Sequence, residues 1–331
     1  MAESALARVG LLGGGVIGGG WAARFALNGI DVKLYDPDPA AERKVNEVLE
    51  NARAATTELV RVPLPPEGTV TVVSTIAEAC ADADFVQESA PERVELKQSL
   101  LNEADAVLAP GVVIGSSTSG LLPSLLQEGM AHPDRLVVGH PFNPVYLLPL
   151  VEVCPGSRTS ASAVEKATDV YTSIGMRPLV LSREIDGFVA DRLLEALWRE
   201  ALWLVADGVA TMEDVDDAIR FGAGLRWSFM GTMLTYRIAG GEGGMRHFMS
   251  QFGPALQWPW SKLTDVPELT EDLLDRMAAQ SDAQANGASI RDLERLRDAC
   301  LVSVIHGLSA QDYGAGAVLS DYERRLTGGG S

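Results

Sequence analysis

The chain has 331 residues, 47% hydrophobic and 22% charged, which suits about two globular domains of about 150 residues and excludes a disordered or collagen-like polymer. Lys and Arg number 27 against 45 Asp and Glu, a formal charge of -18, and the acid excess runs through both halves. Neither half is therefore a basic module for nucleic acid, and an anionic membrane would repel this surface.

Cys80, Cys154 and Cys300 form neither a disulfide framework nor a CxxC pair, so no metal is expected and a reducing cytoplasm is the expected compartment. The uncharged run Val9–Ala23 mimics a targeting segment, but seven of its fifteen residues are Gly, which a hydrophobic signal core would not use. No other stretch has the length of a membrane span.

In chain order, short apolar runs alternate with helix-period segments. Arg8–Gly13, Asp31–Tyr35, Val70–Ser74, Phe85–Glu88, Val112–Ser116, Leu136–Gly139, Leu150–Val153 and Arg177–Leu181 read as strands. Ile17–Asn28, Ala40–Leu59, Glu92–Leu108 and Ala161–Ile174 read as helices between them. This alternation predicts an α/β domain over 1–185 with a mostly parallel sheet. Beyond Gly187 the strand signals stop. Phe188–Ala206, Met212–Phe221, Gly231–Ile238, Leu269–Gln280 and Ser289–His306 all carry helical periodicity, so 186–325 is expected to be an all-α domain. The glycine-rich tail 326–331 is set outside the fold.

Gly13-Gly14-Gly15-Val16-Ile17-Gly18 fits G-x-G-x-x-G between a strand and a helix, the Rossmann fingerprint. Gly13 permits the tight turn, Gly15 leaves room for a pyrophosphate, and Gly18 allows close packing; Val16 and Ile17 open the helix whose N–H groups face the anion. Asp36 ends the next strand eighteen residues past Gly18, where a carboxylate binds the adenosine ribose hydroxyls. A 2′-phosphate would meet that negative charge, so NAD is expected rather than NADP.

Three polar motifs follow later strands. Ser119 lies in Ser117-Thr118-Ser119-Gly120, and His140 and Asn143 lie in His140-Pro141-Phe142-Asn143-Pro144. Glu152 is the one ionisable residue in Leu150–Val153. A His can accept the proton of an alcohol as hydride leaves its carbon, and a carboxylate can orient the ring and stabilise its cation.

These motifs, with Gly187-Phe188-Val189-Ala190-Asp191-Arg192-Leu193-Leu194, occur in an order and spacing that resembles the 3-hydroxyacyl-CoA dehydrogenase family over nearly the whole chain. The resemblance implies a Rossmann domain followed by a helical domain that dimerises. It also implies His140 as base, Glu152 as its orienter and Ser119 as a hydroxyl on the substrate oxygen. Glu92 and Lys97 match the family's pair near the nicotinamide ribose, and Asn143 its Asn beside the cofactor. Asp191 stands where the family usually has Asn; an ionised Asp only accepts hydrogen bonds, which argues against an acyl-CoA substrate.

Five of the six Trp fall between residues 198 and 260, and the general expectation for these is core or dimer interface. Trp198 is singled out because it shares a helix face with Asp191 and Leu194; an acid beside an aromatic face is what a quaternary ammonium needs. The runs Arg192–Trp203, Leu225–Trp227, Thr235–Glu242 and Phe252–Trp260 are similar to the L-carnitine 3-dehydrogenase branch of the family. That resemblance implies NAD-dependent oxidation of the 3-hydroxyl of L-carnitine. A 3-hydroxyacyl-CoA or L-gulonate-type substrate is the alternative among enzymes, and a non-catalytic NAD-binding protein the alternative outside them. Arg192, Arg199, Arg226 and Arg237 all stand as donors for the substrate carboxylate.

Overall fold

The computed structural model describes residues 6–328 apart from 240–241, 243, 253–267, 269, 274, 277–278 and 280–285. Two compact units emerge, residues 1–191 with 301–331, and residues 192–300. From sequence, the boundary between the two domains is expected at residue 185, with 326–331 as a tail.

The first unit is a doubly wound sheet. Its elements are β1 (Arg8–Leu12), α1 (Val16–Ala26), β2 (Asp31–Tyr35), α2 (Ala41–Leu59), β3 (Val70–Val73), α3 (Ile76–Cys80) and β4 (Phe85–Glu88). Then come α4 (Val94–Val107), β5 (Val113–Ser116), α5 (Pro123–Leu126), β6 (Leu136–Pro141), β7 (Leu150–Pro155), α6 (Ala161–Ser173) and β8 (Arg177–Val180). The strand order is β3-β2-β1-β4-β5-β6-β7-β8, with every neighbouring pair parallel except β6 and β7.

Period-two alternation sorts the strands between two cores. Val9, Leu11, Phe85, Val113 and Val137 face one core with Trp21, Phe25, Leu49 and Tyr171. Leu12, Val86, Ile114 and Leu136 face the other, with Ile76, Leu101 and Leu126 from the helices on that side. In α2 the buried set Val45, Leu49, Ala52, Thr56 and Leu59 forms one stripe at helical spacing.

Arg24 of α1 is buried and donates to the carbonyls of Val145, Leu148 and Ile174, tying α1 to the β6–β7 connection and to the end of α6. Burial lowers its guanidinium to about 10.

In the second unit, α7 (Ala190–Ala206) continues from the end of the first and buries only Leu202 and Val205. α8 (Met212–Ala218) starts from a capping box in which Thr211 and Asp214 bond reciprocally. A π turn (Ile219–Ala223), α9 (Gly224–Trp227), α10 (Thr232–Ala239) and α11 (Gly244–Phe252) follow. The expected helix Leu269–Gln280 lies partly, and Trp258 and Trp260 wholly, outside the described residues.

The next helix, α12 (Ile290–Ser309), ends in the first unit, and α13 (Gly314–Leu326) belongs to it. Val302, Ile305, Leu319 and Tyr322 join the α1–α6 core, and the Tyr322 hydroxyl donates to Asn28 Oδ1 at 2.8 Å. Among the described residues no helix is long and apolar enough to cross a membrane.

Candidate active site

Strands β1, β2, β4, β5 and β6 run parallel, so the residues that follow their C-terminal ends share one edge of the sheet, where open α/β sheets collect ligands. Register keeps that edge even: Leu12 is level with Glu88, and Glu88 with Ser116.

At the end of β1 the chain turns through Gly13, whose φ of 104° is a left-handed conformation that glycine tolerates. A side chain on Gly18 would collide with the Gly13 carbonyl oxygen, so turn and helix can approach only through glycine. Gly15, by contrast, has nothing within 4 Å of where a Cβ would stand, and Val16 beside it is exposed. The result is an open cradle at the N-terminus of α1, the geometry a pyrophosphate requires.

Asp36 closes the cradle. Its Oδ2 accepts from the Gly14 N–H at 2.6 Å and its Oδ1 from the Asp38 N–H at 2.8 Å, leaving lone pairs on both oxygens for ribose hydroxyls. The cations just beyond are paired, Arg43 with Glu47 and Lys44 with Asp38. These residues fit an adenine dinucleotide without a 2′-phosphate.

A buried polar chain supports the middle of the edge. Lys97 and Glu88 are both fully buried, with Nζ 2.8 Å from Glu88 Oε1. Lys97 also donates to the Ala90 carbonyl and lies 3.3 Å from Glu92 Oε2. Ser116 donates to the other Glu88 oxygen. Glu92 is partly exposed; its Oε1 accepts from the Thr118 hydroxyl and from the N–H groups of Ser119 and Gly120. Thus Glu92 and Lys97 come together with the Ser119 turn, Lys97 as an interior counter-ion, while Ser119 itself is exposed.

His140 and Glu152 stand opposite each other in the β6–β7 ladder. Nδ1 is 2.9 Å from Glu152 Oε2, and both side chains are buried. Burial pushes the Glu152 carboxyl up, but the hydrogen bond from His140 and N–H donation from Ala190 and Val189 outweigh it, so it is held below the usual carboxylate range. An ionised Glu152 only accepts, so this contact calls for a proton on Nδ1, and in a neutral ring Nε2 is then the nitrogen that can accept one.

That Nε2 lies 3.7 Å from Asp191 Oδ2. The rings of Phe142 and Phe188 flank the imidazole at 5.0 and 5.7 Å. Asn143 is exposed on the loop after β6. Trp198 belongs to the second unit, where it is 51% exposed and lines an apolar recess with Leu194, Leu202 and Val215. Among the described residues no group of three or more His, Cys, Asp or Glu is arranged to hold a metal.

Sequence reasoning missed Glu88, the two aromatic flanks and the Val189 and Ala190 N–H groups. Phe142 and Phe188 sit inside the quoted motifs and were there to be found. Backbone donors leave no trace in residue type.

Residues 8–185 match the profile of the 3-hydroxyacyl-CoA dehydrogenase NAD binding domain, and residues 187–275 that of the same family's C-terminal domain. An L-carnitine dehydrogenase of Mesorhizobium japonicum is 56% identical, covering 98% of this chain and 90% of that protein. The L-carnitine dehydrogenase/betainyl-CoA thioesterase of Rhizobium meliloti is 54% identical over 97% of this chain, which spans only 66% of that longer protein.

Among solved structures, an NAD+-dependent dismutase, 5-formyl-3-hydroxy-2-methylpyridine 4-carboxylic acid 5-dehydrogenase, superposes with a TM-score of 0.76 at 28% identity, covering 92% of this chain and 98% of that one. With the glycine cradle, the His–Glu pair and both domain profiles on one chain, this protein belongs to the 3-hydroxyacyl-CoA dehydrogenase family and carries its NAD-binding domain at residues 8–185.

Proposed function

We propose that this protein is an NAD-dependent dehydrogenase that oxidises the 3-hydroxyl of L-carnitine to 3-dehydrocarnitine. The observation that carries the reading is the buried His140–Glu152 pair at the edge of an NAD-binding sheet, in a chain 56% identical to a protein named L-carnitine dehydrogenase. NAD+, when bound, supplies the acceptor for the hydride that leaves C3. His140 Nε2 takes the hydroxyl proton, and Glu152 offsets the charge the ring then gains. The hydroxyl of Ser119 donates to the substrate oxygen.

The reading assigns the dinucleotide to Gly13, Gly15, Val16, Ile17 and Gly18, with Asp36 on the ribose. Glu92 and Asn143 are assigned to the nicotinamide end, and Lys97 acts there by holding Glu92. Asp191 and Trp198 are assigned to the trimethylammonium end of the substrate.

A homodimer is part of the same reading. Leu193, Val209, Phe221, Leu225 and Met233 of the second unit are each more than 60% exposed, an apolar surface that argues for a second copy. A cytoplasmic setting agrees with free cysteines at 80, 154 and 300.

The test is NADH formation by the purified protein with L-carnitine, 3-hydroxybutyryl-CoA and L-gulonate in parallel. L-Carnitine is expected to give a kcat/KM at least about tenfold above either rival. A higher value for either rival would overturn the assignment.

A further inference from the structure

We infer that the Ser89 hydroxyl is a binding donor for the nicotinamide half of the dinucleotide, turned toward it by a buried hydrogen-bond relay. This deepens the NAD assignment and rests on the reading of His140 as proton acceptor, which puts the nicotinamide near β6.

The relay starts in the core. Gln87 of β4 and Tyr171 of α6 are wholly buried, and the Tyr171 hydroxyl donates to Gln87 Oε1 at 2.7 Å. A Cβ at Gly115 or Gly139 would overlap that hydroxyl, so the contact depends on glycine at both places. The amide nitrogen of Gln87 lies 3.3 Å from the Gly139 carbonyl, which only accepts, and this fixes which way the amide faces. Gln87 Nε2 then donates to Ser117 Oγ at 2.8 Å, and the buried Trp21 ring donates to the same oxygen through Nε1 at 3.0 Å.

Two donors fill both lone pairs of the Ser117 hydroxyl, so its own proton has to be given away. Ser89 Oγ, 2.9 Å distant, takes it. The Ser89 proton is thereby turned away from Ser117. Ser89 is partly exposed, and among the described residues no acceptor is in place for that proton.

Strand order says what Ser89 faces. Along the ligand-collecting edge stand Asp36 after β2, the glycine turn after β1, Ser89 after β4, Ser119 after β5 and His140 on β6. Adenosine at Asp36 and hydride transfer near His140 set the direction of the dinucleotide along this row, with its pyrophosphate over the glycine turn. Ser89 is one strand further toward the nicotinamide. It also abuts the turn, since its N–H donates to the Leu12 carbonyl at 2.7 Å and a Cβ on Gly13 would meet its own carbonyl. Strand order reverses between β1 and β4, the crevice where open α/β sheets take dinucleotides. The second ribose and the phosphate beside it supply the acceptor oxygens of that half.

The experiment titrates wild type and Ser89→Ala with NADH, followed by its fluorescence, and with ADP-ribose and AMP as displacers of NADH. In Ser89→Ala the Kd for NADH and for ADP-ribose should rise about fivefold or more, while that for AMP stays as in wild type. The unchanged AMP affinity also shows that the adenosine side of the cradle is folded. Ser89→Cys, which keeps a side chain of similar shape with a much weaker donor, should show the same pattern.

An NADH affinity unchanged in both variants would overturn the inference, and so would a loss equally large for AMP. L-Carnitine takes no part in these titrations, so a wrong substrate assignment would show in turnover and leave the affinities as they are.

Discussion

His140 and Glu152 are cross-strand neighbours, paired in register on the one antiparallel step of an otherwise parallel sheet. Directly opposite residues put their side chains on the same face within a few ångströms, so the pairing of strands alone delivers the 2.9 Å contact. The carboxylate sits on a strand, which holds it more rigidly than a loop would.

Removing the base follows first. His140→Ala should cut kcat by about 10²–10⁴-fold while NADH still binds, since the glycine cradle is untouched. Fluorescence titration of NADH beside steady-state rates separates the two effects.

Glu152 has a second signature, in pH. Its folded carboxyl titrates below the ordinary value of 4.5, so the stability it contributes is fully present above that value and is lost as pH falls through the lower folded one. Glu152→Gln should therefore lower the melting temperature near neutral pH, with the gap to wild type closing in acid. Thermal melts from pH 7 downward read this directly; a gap that stays constant would contradict it.

Lys97 makes a different prediction. It is buried against Glu88, so Lys97→Met leaves an uncompensated carboxylate in the core and should cost about 3–5 kcal/mol of stability. Urea unfolding measures that loss. A stable variant with weakened NADH binding alone would mean that the ammonium serves the cofactor directly.

The cofactor preference rests on Asp36. In Asp36→Ala the NAD+ over NADP+ preference should shrink by about tenfold or more, because one substitution removes a ribose partner and a charge facing the 2′-phosphate. Comparing kcat/KM for the two cofactors checks it.

Much of this site was legible in the sequence because each polar residue interrupts an apolar run or follows one. The glycine turn and Asp36 are local features, and so is a Glu inside Leu150–Val153. That Glu152 meets His140 was legible only as a family expectation, since the pairing depends on a strand reversal that neither run encodes. Residue type and helical spacing alone do not separate Lys97 from a helix-surface charge, because its partner Glu88 lies nine residues earlier in a strand.

The C-terminal helices illustrate the same limit. Periodicity shows that Val302, Ile305, Leu319 and Tyr322 share apolar faces, but not that the first unit supplies the partner. Register and long-range packing are tertiary facts.

Trp198 tests how far the substrate site extends. Its ring is half exposed, so Trp198→Ala should leave the melting temperature nearly unchanged, whereas a fully buried Trp would cost about 3–5 kcal/mol. If it touches the ammonium, KM for L-carnitine should rise with NAD+ affinity intact; an unchanged KM would remove it from the site.

Hydride transfer from C3 of L-carnitine can be followed by isotopic labelling. The purified protein is incubated with NAD+ and L-carnitine deuterated at C3, and the reduced nicotinamide is weighed by mass spectrometry. Wild type should form coenzyme heavier by one deuterium, and His140→Ala should lose that product. Unlabelled NADH, or no reduction at all, would contradict it.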